Sequence, residues 1–330
     1  MMLAHPPSPD DAFTGAAGRR DNEPGPSYFE QPLLKRPHWG WNVITYLFLG
    51  GIMGGTGLIT MLAGRSSIPA DRRLSRTAKF ASLALAAINP PLLISHLGRP
   101  ERFLNMLRIV KFKSPMSLGV WGLVLYSGAA GGNVLYELAE MRVAPRWLRI
   151  FAPPVLEPLQ ALLGAFTAGY TGVLISATAI PLWAKGKRHI PALSVCSGLA
   201  GACALNTILA IVSGNDEPVE RLERLEAVAA LAELTLLADF RRHAGALGKP
   251  MFEGKRGRRL RDFTAIGGIA IPLLLNVMGA VLPMPKSLRN ARSVAASALT
   301  LLGGYVLRET FIEAGKTSAG DPHAAFRQPE

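Results

Sequence analysis

The sequence predicts an all-α integral membrane protein with eight transmembrane helices. The chain has 330 residues and a mean hydropathy of +0.24. Charged residues make up only 18%, below the roughly 25% of soluble domains, and they lie between long apolar runs. A bilayer core about 30 Å thick requires roughly 20 apolar residues in a helix. Eight runs approach or reach that length.

The eight windows differ in how cleanly they meet this requirement. Glu226 and Glu233 interrupt the sixth, and without it seven spans would leave the termini on opposite sides. In the first, glycines at positions 50, 51, 54 and 55 form small-xxx-small pairs that predict close helix packing. The windows are Trp41–Leu62, Ala78–Leu97, Ser117–Leu138, Leu156–Trp183, Ile190–Ser213, Leu222–Leu236, Phe263–Leu282 and Val294–Ile312.

The segments outside the windows are predicted to be polar tails. Residues 1–40 are rich in proline and lack the apolar stretch of a signal peptide, so we expect a disordered N-terminal tail. Residues 41–314 form the predicted membrane domain, and residues 315–330 a polar C-terminal tail.

Charge placement predicts the orientation. The formal net charge is +13, and most of the 36 Lys and Arg residues lie on the face that bears both termini. The positive-inside rule then places both termini in the cytoplasm of a bacterial inner membrane. A basic docking face for an acidic partner would produce the same asymmetry. Membrane lipid, and not nucleic acid, is the partner that eight spans require.

The residue inventory argues against cofactors held by this chain. Its two cysteines, Cys196 and Cys203, form no CxxC motif, whereas an iron–sulfur cluster normally needs four thiolates. No histidine lies in the middle of a window, so we expect no b-type haem. We also find no Walker, HExxH or G-x-S-x-G motif, and we expect no metal site.

The most informative segment is SHLGRPERFLNMLRIVKFKSPMSLGVWG, from Ser95 to Gly122. It is a strongly basic loop between two apolar windows. It resembles the LGRPER…F…SPMS…W signature of the NrfD/PsrC family, the quinone-interacting membrane subunits of polysulfide-reductase-type complexes. The FLGG of the first window, GYTGVL at 169–174 and LRETFIEAG at 307–315 extend the resemblance from about Trp39 to Ala314.

The resemblance implies a fold and a function. The fold is eight helices arranged as two four-helix bundles. The function is electron exchange between membrane quinone or quinol and a four-cluster ferredoxin-like iron–sulfur subunit, which connects to a molybdopterin-type catalytic subunit. The chain would bind quinone as a substrate and would not be catalytic alone. A secondary transporter and a purely structural membrane anchor are the alternatives.

The same resemblance implies the quinone-binding residues. Aligning the FLGG positions places Tyr46 where relatives contact the quinone ring, with Asn42 one turn earlier. His96 stands where many relatives have an acidic residue, and Arg99 follows it in the LGRP motif. Tyr46 would also suit an interfacial aromatic belt, and His96 a hydrogen bond to loop backbone. Arg99 would brace the loop as well as contact ligand.

Further side chains are predicted to serve protons and partners. Glu233 is a candidate for proton transfer, because intramembrane carboxylates often mark ion paths; a structural interhelical hydrogen bond is the alternative. Glu157 and Gln160 are expected at the membrane interface. The predicted partner-docking residues are Arg102, Arg108 and Lys111.

Overall fold

The computed structural model describes residues 34–97, 99–151 and 153–321, apart from the side chain of Arg102. Within these ranges all regular structure is helical, and eight helices have at least 24 residues. They are α1 (Trp41–Gly64), α2 (Pro69–Ser95), α3 (Pro115–Glu140), α4 (Pro153–Ser176), α5 (His189–Val212), α6 (Val219–Ala244), α7 (Gly254–Val281) and α8 (Lys286–Ala319).

Six of these helices, α1 to α5 and α7, are long and apolar enough to cross a membrane. The protein is therefore a helical membrane protein with six candidate spans among its described residues, fewer than the eight predicted. Helices α6 and α8 are too polar to meet this criterion. However, α6 buries Glu223, Glu226 and Glu233, and α8 buries Arg292 and Arg308. These charges face protein and not lipid.

Helix α1 lies at the centre of the packing, against α2, α4, α5 and α8. Its glycines permit this. A Cβ at Gly54 would lie 2.2 Å from the carbonyl oxygen of Gly164 in α4, and one at Gly51 would lie 3.1 Å from the Cα of Gly198 in α5. The predicted small-residue packing is confirmed at both crossings. Helix α3 packs on α2 and α4, whereas α6 and α7 pack around α5 and α8.

A buried hydrogen-bond network joins α1, α3 and α4. Tyr126 donates its hydroxyl to the carbonyl of Met53 at 2.6 Å and accepts from Gln160 Nε2 at 3.2 Å. Asn133 Nδ2 donates to Gln160 Oε1 at 2.6 Å. Gln160 has no exposed surface. An amide in the interior is tolerated here because both of its polar ends have partners.

The fourth predicted window divides into two elements. Helix α4 ends at Ser176, and a short helix, Pro181–Lys185, follows. Pro181 begins this second helix because proline lacks the N–H that an interior helical position would need. Trp183 is fully buried there and donates its indole N–H to the carbonyl of Phe311 at 2.9 Å.

The last helix is longer than its window. It continues to Ala319, past the predicted domain boundary at Ala314, and its Ser318 hydroxyl accepts the Leu182 N–H at 3.3 Å. The start of the predicted C-terminal tail is therefore helical. The N-terminal tail lies outside the described residues up to position 33.

Helix α7 contains a π-helix, Leu260–Ala270, between the α-helical segments Gly254–Arg259 and Ile271–Val281. Pro272, which cannot donate a backbone hydrogen bond, follows the change of register. Thr264 donates to the carbonyl of Gly303 in α8 at 3.0 Å. The remaining short helices are Pro100–Arg102, Phe103–Arg108, Arg146–Ile150, Gly245–Gly248 and Lys249–Phe252.

Candidate functional site

The first turn of α1 meets the last turn of α2. Asn42 Nδ2 donates a hydrogen bond to Ser95 Oγ at 3.2 Å, and Ser95 Oγ donates to the carbonyl of Leu92 at 2.8 Å. Tyr46 lies one turn after Asn42, and His96 directly follows Ser95. The structure therefore brings Asn42 and His96, and with them Tyr46, to one end of the bundle. We call this end the α1-start end.

Tyr46 points into the protein. Its side chain is 4% exposed, whereas that of Trp41 is 69% exposed and suits an interfacial belt. Tyr170 of α4 is 5% exposed, and its neighbour Thr171 packs on Gly50 of α1, one turn after Tyr46. The Tyr170 ring packs on Gly119 of α3, where a Cβ would lie 2.0 Å from the ring. Two buried phenols from α1 and α4 therefore lie behind the Asn42–Ser95 contact.

His96 and Arg99 lie where α2 passes into the basic loop. His96 is half-buried, and its Nδ1 contacts the carbonyl oxygen of Leu93. This contact orients the imidazole ring at the end of α2. Arg99 is exposed and precedes the Pro100–Arg102 helix. In the described part of the chain no carboxylate forms an ion pair with it.

The predicted docking residues lie on the same loop. Arg108 ends the Phe103–Arg108 helix, and its side chain and that of Lys111 are exposed. The loop is tied to α3, because the Lys111 N–H donates to Ser117 Oγ at 3.0 Å. Arg102 belongs to the loop as well, but its side chain lies outside the described residues.

Charged side chains line the contact between α6 and α8. Arg292 Nη2 lies 2.8 and 2.9 Å from the two carboxylate oxygens of Glu223, and Ser293 Oγ donates to Glu223 at 2.5 Å. Further along, Thr300 Oγ1 donates to Glu226 at 2.6 Å. Because each carboxylate has a donor on the facing helix, the polar groups hold the two helices together.

The same face of the two helices also carries Glu233 and Arg308, which are 4% and 3% exposed. Their charges are opposite, and both are enclosed by protein. Arg308 Nη2 donates to the carbonyl of Ser194 at 3.2 Å. The same atom lies 3.6 Å from where a Cβ on Gly51 of α1 would stand. We call Glu223, Glu226, Glu233, Arg292 and Arg308 the buried charged seam.

The seam begins at a cavity of about 450 Å³. Asp216, Glu223 and Arg292 line it, at the end of the bundle where α6 and α8 begin. The other end of α6 carries a second polar group, in which His189 Nε2 lies 2.9 Å from Asp239 Oδ2. Titratable side chains therefore occur along most of α6.

Glu233 was predicted from the sequence as a functional residue, whereas Arg308 was not. The signal was present, since Arg308 lies inside the predicted window Val294–Ile312. An arginine within an apolar span needs a partner, as an intramembrane carboxylate does. Among the described residues, no group of three or more His, Cys, Asp and Glu side chains is placed to hold a metal ion. Both cysteines are free thiols.

These features define a class: a multi-pass helical membrane protein with a polar cluster at one end and paired charges in its interior. Residues 32–319 match the family model described as polysulphide reductase, NrfD. The chain belongs to the NrfD family, whose members are membrane subunits of redox complexes. No curated protein sequence matches the chain.

Proposed function

We propose that this protein is the quinone-reactive membrane subunit of a multi-subunit oxidoreductase, exchanging electrons between membrane quinone or quinol and an iron–sulfur partner subunit. One observation carries the proposal. Asn42, Tyr46 and His96 lie at the same end of the bundle, next to the exposed basic loop. A quinone bound there would be near the surface on which a partner docks.

The proposed site supplies the groups that quinone chemistry needs. Oxidation of a quinol releases two electrons and two protons; the electrons pass to the partner's cluster, and the protons need acceptors. The Tyr46 hydroxyl and the Asn42 amide are donors for a quinone carbonyl oxygen. The imidazole of His96 accepts a proton during quinol oxidation and returns it during reduction. Arg99 stabilises the loop that closes this end.

We assign proton transfer to Glu233. In support, Glu233 and Arg308 are both buried, and Arg308 reaches α1 at Gly51, little more than one turn beyond Tyr46. The seam continues through Glu226 toward the cavity at the far end of α6. A carboxylate that was only structural would not need to lie in line with other titratable groups.

The proposal includes eight spans in two four-helix bundles, α1–α4 and α5–α8. Because Glu223, Glu226 and Glu233 of α6 and Arg292 and Arg308 of α8 are buried, both helices can lie in a membrane. The Trp39 and Trp183 rings stack at 5.1 Å, which supports α1 and α5 beginning at the same end. The positive-inside rule assigns that end, with both termini, to the cytoplasm of a bacterial inner membrane.

The proposed partner is a four-cluster ferredoxin-like subunit that passes electrons to a molybdopterin-type catalytic subunit. Arg102, Arg108 and Lys111 are the proposed contacts. Arg108→Glu/Lys111→Glu should reduce co-purification of the partner most strongly at low salt, and less as salt rises, because ion pairs are screened over about 8–10 Å. Lys255→Glu/Arg258→Glu, an equal charge change at two exposed positions outside this loop, should leave it unchanged. Equal losses in both variants would rule out this docking surface.

The function is tested by assaying the redox complex with and without this subunit. With it, the complex should exchange electrons with a quinol analogue and with a soluble artificial acceptor. Without it, only the artificial-acceptor reaction should persist. Quinol-linked turnover that survives removal of the subunit would favour the structural-anchor alternative.

A further inference from the structure

A second buried charge cluster lies at the opposite end of the bundle from Asn42. Lys79 of α2 is 5% exposed, and its Nζ lies 3.0 Å from Glu157 of α4 and 3.2 Å from Glu137 of α3. Arg76, one turn before Lys79, also pairs with Glu137. The proposed function uses none of these residues.

This cluster forms one wall of a cavity of about 310 Å³. Arg65 and Arg72 also line it. Its lining therefore contains four basic side chains and two carboxylates, which leaves an excess of positive charge. Glu137 and Glu157 compensate Lys79 and Arg76. In the described ranges no carboxylate forms an ion pair with Arg65 or Arg72, so the excess charge lies on these two.

The cavity lies at the edge of the apolar zone. It is bordered by the end of α1, the first turns of α2, the end of α3 and the start of α4. The apolar window of α1 ends at Leu62, and that of α2 begins only at Ala78. Arg65 and Arg72 therefore lie just outside the hydrocarbon layer, at the depth of lipid phosphates.

An exposed apolar strip begins where the cavity ends. Val155, Leu159 and Leu162 recur with helical spacing on α4, directly after Pro154 of the cavity wall, and all three are exposed. Trp147, also exposed, lies on the preceding Arg146–Ile150 helix and suits the membrane interface. The surface thus offers a cationic pocket at its head and an apolar track below it.

We propose that this cavity binds the phosphate of an anionic phospholipid, with Arg65 and Arg72 contacting the phosphate and the acyl chains lying along the α4 strip. Free inorganic phosphate shares the anionic chemistry but has no acyl chain to contact the apolar strip. The site goes beyond the proposed quinone function and does not depend on it.

The test is lipid binding by the purified full-length protein, measured by native mass spectrometry with phosphatidylglycerol, phosphatidylcholine or inorganic phosphate. We expect phosphatidylglycerol to be preferred. Each of Arg65→Gln and Arg72→Gln should weaken phosphatidylglycerol binding about five-fold, since a basic residue near an anionic headgroup contributes about 1 kcal/mol. Arg224→Gln, an exposed arginine outside this cavity, is the matched control and should have no effect.

The possible outcomes distinguish lipid binding from binding of a free anion, and both from the absence of a binding site. Val155→Ser/Leu162→Ser should weaken phosphatidylglycerol binding while leaving the charged residues of the cavity unchanged. Displacement of the lipid by inorganic phosphate, with no effect of the strip variant, would overturn the lipid assignment. Equal binding of the two lipids, or unchanged binding in Arg65→Gln/Arg72→Gln, would overturn the site. These variants leave the Lys79 cluster intact, so a thermal melting control should show an unchanged fold.

Discussion

The side-chain amide of Asn42 donates a hydrogen bond to the hydroxyl of Ser95 at 3.2 Å, joining the first turn of α1 to the last turn of α2. This contact fixes Asn42 next to His96. It also leaves Asn42 with one further amide hydrogen for a ligand.

Ser95→Ala removes the partner that orients Asn42. We expect quinone affinity to fall several-fold, because one hydrogen bond contributes about 0.5–1.5 kcal/mol. The melting temperature should hardly change, since both side chains are near the surface. Titration with a quinone analogue measures the effect, with Ser127→Ala, whose hydroxyl bonds only to its own helix, as control. Equal affinity in wild type and Ser95→Ala would mean that Asn42 does not contact quinone.

Variants of Glu233 and Arg308 distinguish a proton-transfer role of Glu233 from a purely structural one. Glu233→Gln removes a buried negative charge opposite in sign to that of the buried Arg308, so stability should fall. Adding Arg308→Met removes the unpaired charge and should restore the melting temperature. If Glu233 carries protons, quinol-linked turnover should stay low in the double variant. Recovery of both stability and turnover would show a structural role only.

Gly54 tests the central helix crossing. A Cβ there would overlap the Gly164 carbonyl oxygen at 2.2 Å, so Gly54→Ala should destabilise the protein by about 1–3 kcal/mol. Gly128, in α3, is exposed, and a Cβ added there would meet no atom within 4 Å, so Gly128→Ala should be neutral. Thermal melting compares the two, and similar curves would contradict the crossing.

Asp216 predicts a pH dependence at the loop before α6. The ammonium of Lys286, 2.5 Å away, lowers the pKa of this carboxyl below its ordinary 3.8, with help from Asn290. Because the pKa is lower in the folded state, the ionised carboxyl stabilises the fold at pH values above its pKa in the unfolded state. That stability is lost as pH falls through its pKa in the folded state. Asp216→Asn should therefore cost at most about 1 kcal/mol near neutral pH. The difference in free energy of unfolding between Asp216→Asn and wild type should vanish below pH 3.8. A difference that stays constant across pH would refute the Asp216–Lys286 ion pair.

The sequence was sufficient for the broad architecture. Apolar length located eight long helices, and the alternation of their directions predicted that the start of α1 and the end of α2 share one end. Glycine spacing predicted the crossings at Gly51 and Gly54. Helix ends were less accurate, because α2 continues as a polar helix to Pro69 and α8 to Ala319, where tertiary contacts and not hydropathy decide.

The interior polar contacts could not be predicted in the same way. Gln160 and Glu157 share a turn near the start of α4, and their burial depends on Asn133 and Lys79, which are distant in sequence. Arg308 likewise finds its hydrogen-bond partner, the carbonyl of Ser194, on another helix. The periodicity of apolar residues describes one helix at a time. These contacts depend on which helices pack together and on how far along each helix they meet.

The most direct test of the quinone site is the effect of Tyr46→Phe on the assembled complex, which deletes one hydroxyl and keeps the ring. Quinone affinity and quinol-linked turnover should fall several-fold, since one hydrogen bond contributes about 0.5–1.5 kcal/mol. Turnover with the artificial acceptor should be unchanged, and Tyr136→Phe, near Lys79 at the opposite end, should match wild type in both assays. Wild-type quinol kinetics in Tyr46→Phe would contradict a quinone bound at the α1-start end.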